Sequence, residues 1–175
     1  MTPHSDGYSR AQIIFHWTIA TIVIAVLVTH EDFLATQSAV LHGSPLKTGQ
    51  EIIREFHLWG GAIVLPLALW RLLVRFRIGV PPPPDRMSRT LRAAASLTHT
   101  LLYALILLMP VSGALVYYGI LPRTSGALHQ FGEPALFVLV TVHTLAALMH
   151  HFYWRTDVLR RMFNPATSAP LERRG

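Results

Sequence analysis

The sequence of 175 residues contains no cysteine. That absence excludes disulfides, thiolate-held zinc, iron–sulfur clusters and covalent haem attachment through CxxCH. Any metal held by this chain must take its ligands from histidine, methionine or carboxylate. Charge is also scarce, with Asp, Glu, Lys and Arg making up 14% of the residues against about a quarter in an ordinary soluble domain. No charged residue occurs between Arg10 and Glu31, between Glu55 and Arg71, between Arg92 and Arg123, or between Glu133 and Arg155.

These gaps have the length of membrane spans. A helix crossing the hydrocarbon core needs about 20 mostly apolar residues. The second gap is short, but Leu72, Leu73 and Val74 extend it, and Arg71 and Arg75 can reach the headgroups along their aliphatic stems. Four such stretches in succession predict an all-α membrane protein, a bundle of four transmembrane helices. The first stretch is too long for a signal-peptide core and lacks a small-residue cleavage site, so it reads as a retained span.

Basic residues set the expected orientation. One side receives Arg10, the middle-loop residues Arg71, Arg75, Arg77, Arg86, Arg89 and Arg92, and the C-terminal Arg155, Arg160, Arg161, Arg173 and Arg174. The other receives Lys47, Arg54 and Arg123 among Glu31, Asp32, Glu51, Glu55 and Glu133. The positive-inside rule then puts both termini of this multi-pass protein in the cytoplasm. The net charge of +6 reads as topology rather than nucleic-acid binding, because the arginines are split among segments flanking apolar spans. Residues 1–162 are expected to form the single membrane domain, and 163–175 a disordered cytoplasmic tail. Pro81 to Pro84 make a stiff spacer between the second and third spans. The first loop, roughly Glu31 to Gln50, has room for irregular structure or a short surface helix; the third, around Gly119 to Gly126, is short.

Ten histidines supply the chemistry. Polar groups within a span are costly and point to function. His4, His30 and His42 lie outside or at the edge of spans and read as solvated. His129 and His143 are fourteen positions apart, on nearly the same helix face and about 21 Å apart along the axis, a separation suited to two stacked haems. His143 and His150 are only seven apart, about 10 Å, too close for that role. By depth, His57 can face His129 near the outer side and His16 can face His143 near the inner side. The expected metal ligands are therefore His16 and His143 for one haem iron and His57 and His129 for the other, two haem b in all. Such bis-histidine ligation leaves no open position for oxygen chemistry and suits electron transfer. His99 and His151 read as hydrogen-bonding residues. Gly60, Gly61 and Gly113 would let a porphyrin face approach the backbone, or would simply aid helix packing.

The combination of Tyr8-Ser9-Arg10-Ala11-Gln12 with His16-Trp17, Trp70-Arg71-Leu72-Leu73-Val74-Arg75, His99 with Tyr103, Pro110 with Gly113, and His143…His150-His151-Phe152-Tyr153-Trp154 resembles the bacterial cytochrome b561 family, over roughly Tyr8 to Met162. The resemblance implies a four-helix inner-membrane di-haem cytochrome whose ligands fall on His16, His57, His129 and His143. One branch of that family is a superoxide oxidase, which implies superoxide as a periplasmic donor and ubiquinone as the acceptor near the cytoplasmic haem. For the quinone end the expected residues are His150, able to hydrogen-bond a carbonyl and pass a proton, and Arg10, with Ser9 and Gln12 beside it. Arg10, Arg71 and Arg75 could bind haem propionates or quinone, or serve only as topology signals at the lipid headgroups. The competing expectations are a cytochrome b subunit anchoring a hydrogenase or dehydrogenase partner, a membrane di-iron enzyme with histidine boxes, and a structural or transport role. The expected surroundings are lipid, quinone and a small periplasmic donor, with no nucleic acid.

Overall fold

The computed structural model describes residues 7–84 and 87–165. Five α-helices follow one another: α1 (Arg10–Val28), α2 (His30–Leu41), α3 (Thr48–Ile78), α4 (Arg89–Tyr117) and α5 (Pro122–Phe152), with a 3₁₀ turn at Arg160–Met162. The described residues contain no strand. Four helices, α1, α3, α4 and α5, are long and apolar enough to cross a membrane. The chain is thus an all-helical protein with four membrane-spanning-capable helices, and α2 is a surface helix in the first connection.

The helix boundaries follow local chemistry. Ser9 caps α1 with a reciprocal pair of bonds: its hydroxyl accepts from the Gln12 amide at 3.3 Å, and its own amide donates to Gln12 Oε1 at 2.9 Å. Gln12 then uses its Nε2 to donate to the Gly79 carbonyl at 2.8 Å, tying the start of α1 to the end of α3. Gly79 ends α3 with φ +84°, a conformation that glycine adopts without a Cβ penalty. The extended spacer Pro81 to Pro84 follows. The third connection is shorter than the sequence suggests. Leu121 turns the chain in a left-handed conformation and Pro122 starts α5 at once, so 122–126 are helical; proline's fixed φ suits a first helical position. Pro66, Pro110 and Pro134 lie inside the long helices, a placement membrane helices tolerate.

Close helix packing runs from α1 to α3, from α3 to α4 and from α4 to α5, while α2 lies on α3. Neither α1 nor α3 packs closely along α5. A small apolar core joins the helices at mid-depth: Ile19 and Val23 of α1, Val64 and Ala68 of α3, Leu102 of α4 and Leu136 of α5. Leu136 lies midway along the chain between His129 and His143, and Val64 midway between His57 and Arg71. The core therefore separates two polar levels within the bundle. Outside, Ile14, Ile24, Ile63, Leu69, Phe137, Val138, Leu145 and many other large apolar side chains are exposed, as hydrocarbon contact requires.

The chain beyond α5 folds back on α1. Trp17 Nε1 donates to the Met162 carbonyl at 2.7 Å, and its ring packs on Phe163 at 4.8 Å. Arg161 donates to the Pro82 carbonyl at 2.9 Å, joining this segment to the proline spacer. His4, Arg86, Arg173, Arg174 and the rest of the tail from residue 166 lie outside the described residues.

Candidate functional site: two histidine levels in the bundle

The chain directions bring histidines from three helices to two levels. At the first, His57 of α3 faces His129 of α5 with ring centres 6.1 Å apart and planes at 65°. At the second, His16 of α1 faces His143 of α5 with ring centres 6.2 Å apart and planes at 67°. Each pair bridges two helices that do not pack closely on one another. Two imidazoles on opposite sides of one iron, each bonded at about 2 Å, have ring centres about 6 Å apart. Both pairs therefore have a spacing at which two imidazoles could hold one metal ion between them.

The orientation of His129 is fixed by α4. Its Nδ1 lies 3.1 Å from the Met109 carbonyl oxygen and 3.1 Å from Ser112 Oγ. A carbonyl only accepts, so the neutral ring carries its proton on Nδ1 and leaves Nε2 bare. The Ser112 hydroxyl also donates to the Met109 carbonyl, at 3.0 Å, closing a small buried network. Metal-bound histidines commonly donate their second N–H to a backbone carbonyl in this way. Gly113 provides the approach: a Cβ there would lie 3.1 Å from His129 Cε1. The other two glycines singled out from the sequence behave differently. Gly60 faces Ile22 and Val26 of α1 and serves helix packing, and Gly61 faces open space.

His57 stacks on Phe33 of α2, with ring centres 3.9 Å apart and planes at 14°. Its Nδ1 is buried without a hydrogen-bond partner. Beside it, His30 opens α2 and pairs with Glu133 of α5 at 3.8 Å. The sequence reads His30 as solvated and gives no hint of Phe33. Both contacts arise because α2 lies down over the end of α3, and helical periodicity within α2 does not say which neighbour it meets.

At the second level His143 has two histidine neighbours. His99 of α4 lies 5.1 Å from it, shorter than the roughly 6 Å expected across one iron. The His99 Nδ1–H donates to the Ala95 carbonyl of its own helix at 2.7 Å. His16 meets Arg71 of α3, whose Nη2 lies 3.2 Å from His16 Nδ1. A guanidinium only donates, so this contact leaves the ring's proton on Nε2, and iron at Nε2 would move it to Nδ1 and release Arg71 Nη2. The guanidinium also donates from Nη1 to the Tyr103 hydroxyl of α4.

The residues expected at the quinone end are not gathered into one pocket. Arg10 is exposed, and Ser9 and Gln12 are committed to the α1 cap and to Gly79. His150 is buried at the end of α5; its Nδ1 lies 3.0 Å from Thr156 Oγ1, and Trp154 packs edge-on at 4.6 Å. His151 is exposed beside Phe152, and His42 is exposed and bonded to its own helix through Ser38. Among the described residues no group of three or more His, Asp or Glu side chains converges on a point where it could hold a metal ion. Histidine-box di-iron chemistry requires such a cluster.

The likeness to known proteins covers the whole architecture. The profile of the prokaryotic cytochrome b561 family matches residues 7–165. A cytochrome b562 of Cereibacter sphaeroides is 32% identical over 164 residues, covering 91% of this chain and 96% of that protein. A probable superoxide oxidase CybB of Yersinia pestis is 26% identical over 175 residues, covering 89% and 94%. Cytochrome b561 homolog 1 of Escherichia coli is 27% identical over 184 residues, covering 90% and 97%. The family implies a b-type haem, and the facing histidines and the carbonyl-anchored His129 suit one. The chain belongs to the prokaryotic cytochrome b561 family, as a redox, electron-transfer cytochrome of a bacterial membrane.

Proposed function

We propose that the chain is a di-haem electron-transfer protein of the inner membrane, with His57 and His129 holding one haem b and His16 and His143 the other. The observation that carries this reading is the near-equal spacing of two histidine pairs, 6.1 and 6.2 Å, at opposite levels of one bundle. Haem b would supply reversible one-electron chemistry, and the paired histidines would hold it as an electron carrier. The protein's contribution is positional. Met109 and Ser112 hold His129 in one tautomer, Phe33 fixes the plane of His57, and the apolar core keeps water from the path between levels.

The arginine-rich connections put both termini in the cytoplasm, so the His57 level is periplasmic. The proposed donor is superoxide at that face and the proposed acceptor ubiquinone at the other. Two superoxide ions release two electrons and leave as two dioxygen molecules; ubiquinone takes both electrons and two protons to become ubiquinol. The name of the Yersinia pestis relative supports the donor. Lys47 and Arg123 are exposed cations suited to drawing in an anion, whereas Arg54 is engaged by Glu55 at 3.0 Å. At the inner end His150 is the proposed quinone partner and proton carrier, and Arg10 a second proposed quinone residue.

A reduced-minus-oxidised visible spectrum with pyridine haemochrome quantitation tests the architecture. Two b haems per chain are expected, and a single haem or a colourless protein refutes the four-ligand assignment. Ubiquinone reduction by superoxide, by the purified chain alone, tests the donor. A requirement for an iron–sulfur partner would make the chain an anchor subunit instead.

A further inference from the structure

Two arginines of α3 converge on one phenol ring of α4. The guanidinium carbons of Arg71 and Arg75 lie 5.3 and 5.9 Å from the centre of the Tyr103 ring. Both side chains are half-buried, and neither forms an ion pair with a carboxylate among the described residues. Arg71 uses Nη1 on Tyr103 and Nη2 on His16, while its buried Nε has no partner. Two like charges brought together away from water, with a donor left over, require an anion to balance them. The same side chains line a narrow cleft with Tyr8, Gln12 and Val80. Gln12 spends its Oε1 on Ser9 and one Nε2 hydrogen on Gly79, and the cations of this cleft are the two arginines. A carboxylate matches, because its two oxygens pair with the fork of a guanidinium.

We propose that Arg71, Arg75 and Tyr103 form a carboxylate-binding site and that its occupant is a propionate of the haem at the His16 level. The proposal rests on the di-haem reading, since Arg71 joins the site directly to His16. It assigns to these arginines a role beyond topology: they seat the inner haem by its acidic edge, and Tyr103 holds Arg71 in line. Arg77, two residues on and exposed, is the natural control.

The full-length protein, purified with its haems, provides the test. Arg71→Gln and Arg75→Gln are compared with Arg77→Gln for haem transfer to excess apomyoglobin and for the resonance Raman propionate bending bands. Loss of the inner haem is expected to accelerate by about tenfold or more in the first two variants, as removal of a charge-assisted hydrogen bond implies. Their propionate bands are expected to shift, while the outer haem and Arg77→Gln behave as wild type. Unshifted bands with unchanged inner-haem loss overturn the proposal. So does an outcome in which only stabilisation by phosphatidylglycerol over phosphatidylcholine vesicles disappears, for the anion is then a lipid phosphate. Should Arg71→Gln fail to assemble, Arg75→Gln decides, since Arg75 reaches Tyr103 rather than a proposed ligand. A wild-type protein lacking a second haem would be a failure of the di-haem reading, visible before any variant is made.

Discussion

His129 Nδ1 of α5 lies 3.1 Å from the Met109 carbonyl oxygen of α4, so one helix selects the ring nitrogen that its neighbour presents to the bundle interior. The anchor is main chain, which no side-chain substitution removes. Ser112, buried between the two, shares the same proton and donates to the same carbonyl. Ser112→Ala should therefore weaken the anchor without abolishing it, by about 1 kcal/mol for one neutral hydrogen bond. The expected readout is a several-fold faster loss of one haem to a scavenger with the other unchanged. Equal acceleration for both would show that Ser112 matters to the bundle as a whole and not to His129.

The proposed ligation pairs residues far apart in sequence, and the pairing itself can be tested. His16→Ala and His143→Ala should each abolish the same haem signal, and His57→Ala and His129→Ala the other. Haem per chain should fall from two to one in every case, read by pyridine haemochrome. Electron paramagnetic resonance of the oxidised variants identifies which low-spin signal remains. If His16→Ala and His143→Ala remove different signals, the two levels have been paired wrongly.

Gly113 offers a steric test with its own control. A Cβ at that position would lie 3.1 Å from His129 Cε1, closer than side chains normally approach, whereas a Cβ at Gly61 would meet nothing within 4 Å. Gly113→Ala should push the imidazole by a few tenths of an ångström and lower outer-haem occupancy or shift its potential. Gly61→Ala should leave both haems as they are. Potentiometric titration of the two variants side by side separates them, and an unperturbed Gly113→Ala protein would mean that His129 does not hold its place as a ligand.

At the inner end, His150 and Arg10 are proposed to act on quinone without holding haem. His150→Gln keeps a hydrogen-bonding side chain but removes the proton carrier, so the turnover number with ubiquinone should fall by roughly 10²-fold, the lower range for a positioned acid or base. Arg10→Gln, at an exposed position, should raise KM for quinone modestly. Both variants should keep two haems. Loss of haem from His150→Gln would show that its contacts with Thr156 and Trp154 support the bundle instead.

The sequence by itself determined the material of this protein: four apolar stretches, the exclusion of cysteine chemistry, and histidines at depths that permit two levels. Those features are legible because the bilayer demands about 20 apolar residues per span and because helical rise converts sequence spacing into distance along one axis. Thus His129 and His143 could be related to each other on α5 alone. Lateral neighbours are another matter, because they depend on helix rotation and on which helices touch. Only the tertiary structure decided that α5 stands away from α1 and α3, that Met109 anchors His129, and that Phe33 of α2 covers His57. The glycines show the same division. Composition offered Gly60, Gly61 and Gly113 one shared role, and packing assigned α1 to the first, open space to the second and a histidine ring to the third. Arg71 and Arg75 likewise had several possible partners in the sequence, and packing on α4 brought both guanidinium groups to the Tyr103 ring. A one-dimensional pattern carries depth in a membrane; azimuth is set by side chains meeting across helices, and the arrangement around each histidine is therefore a property of the folded bundle.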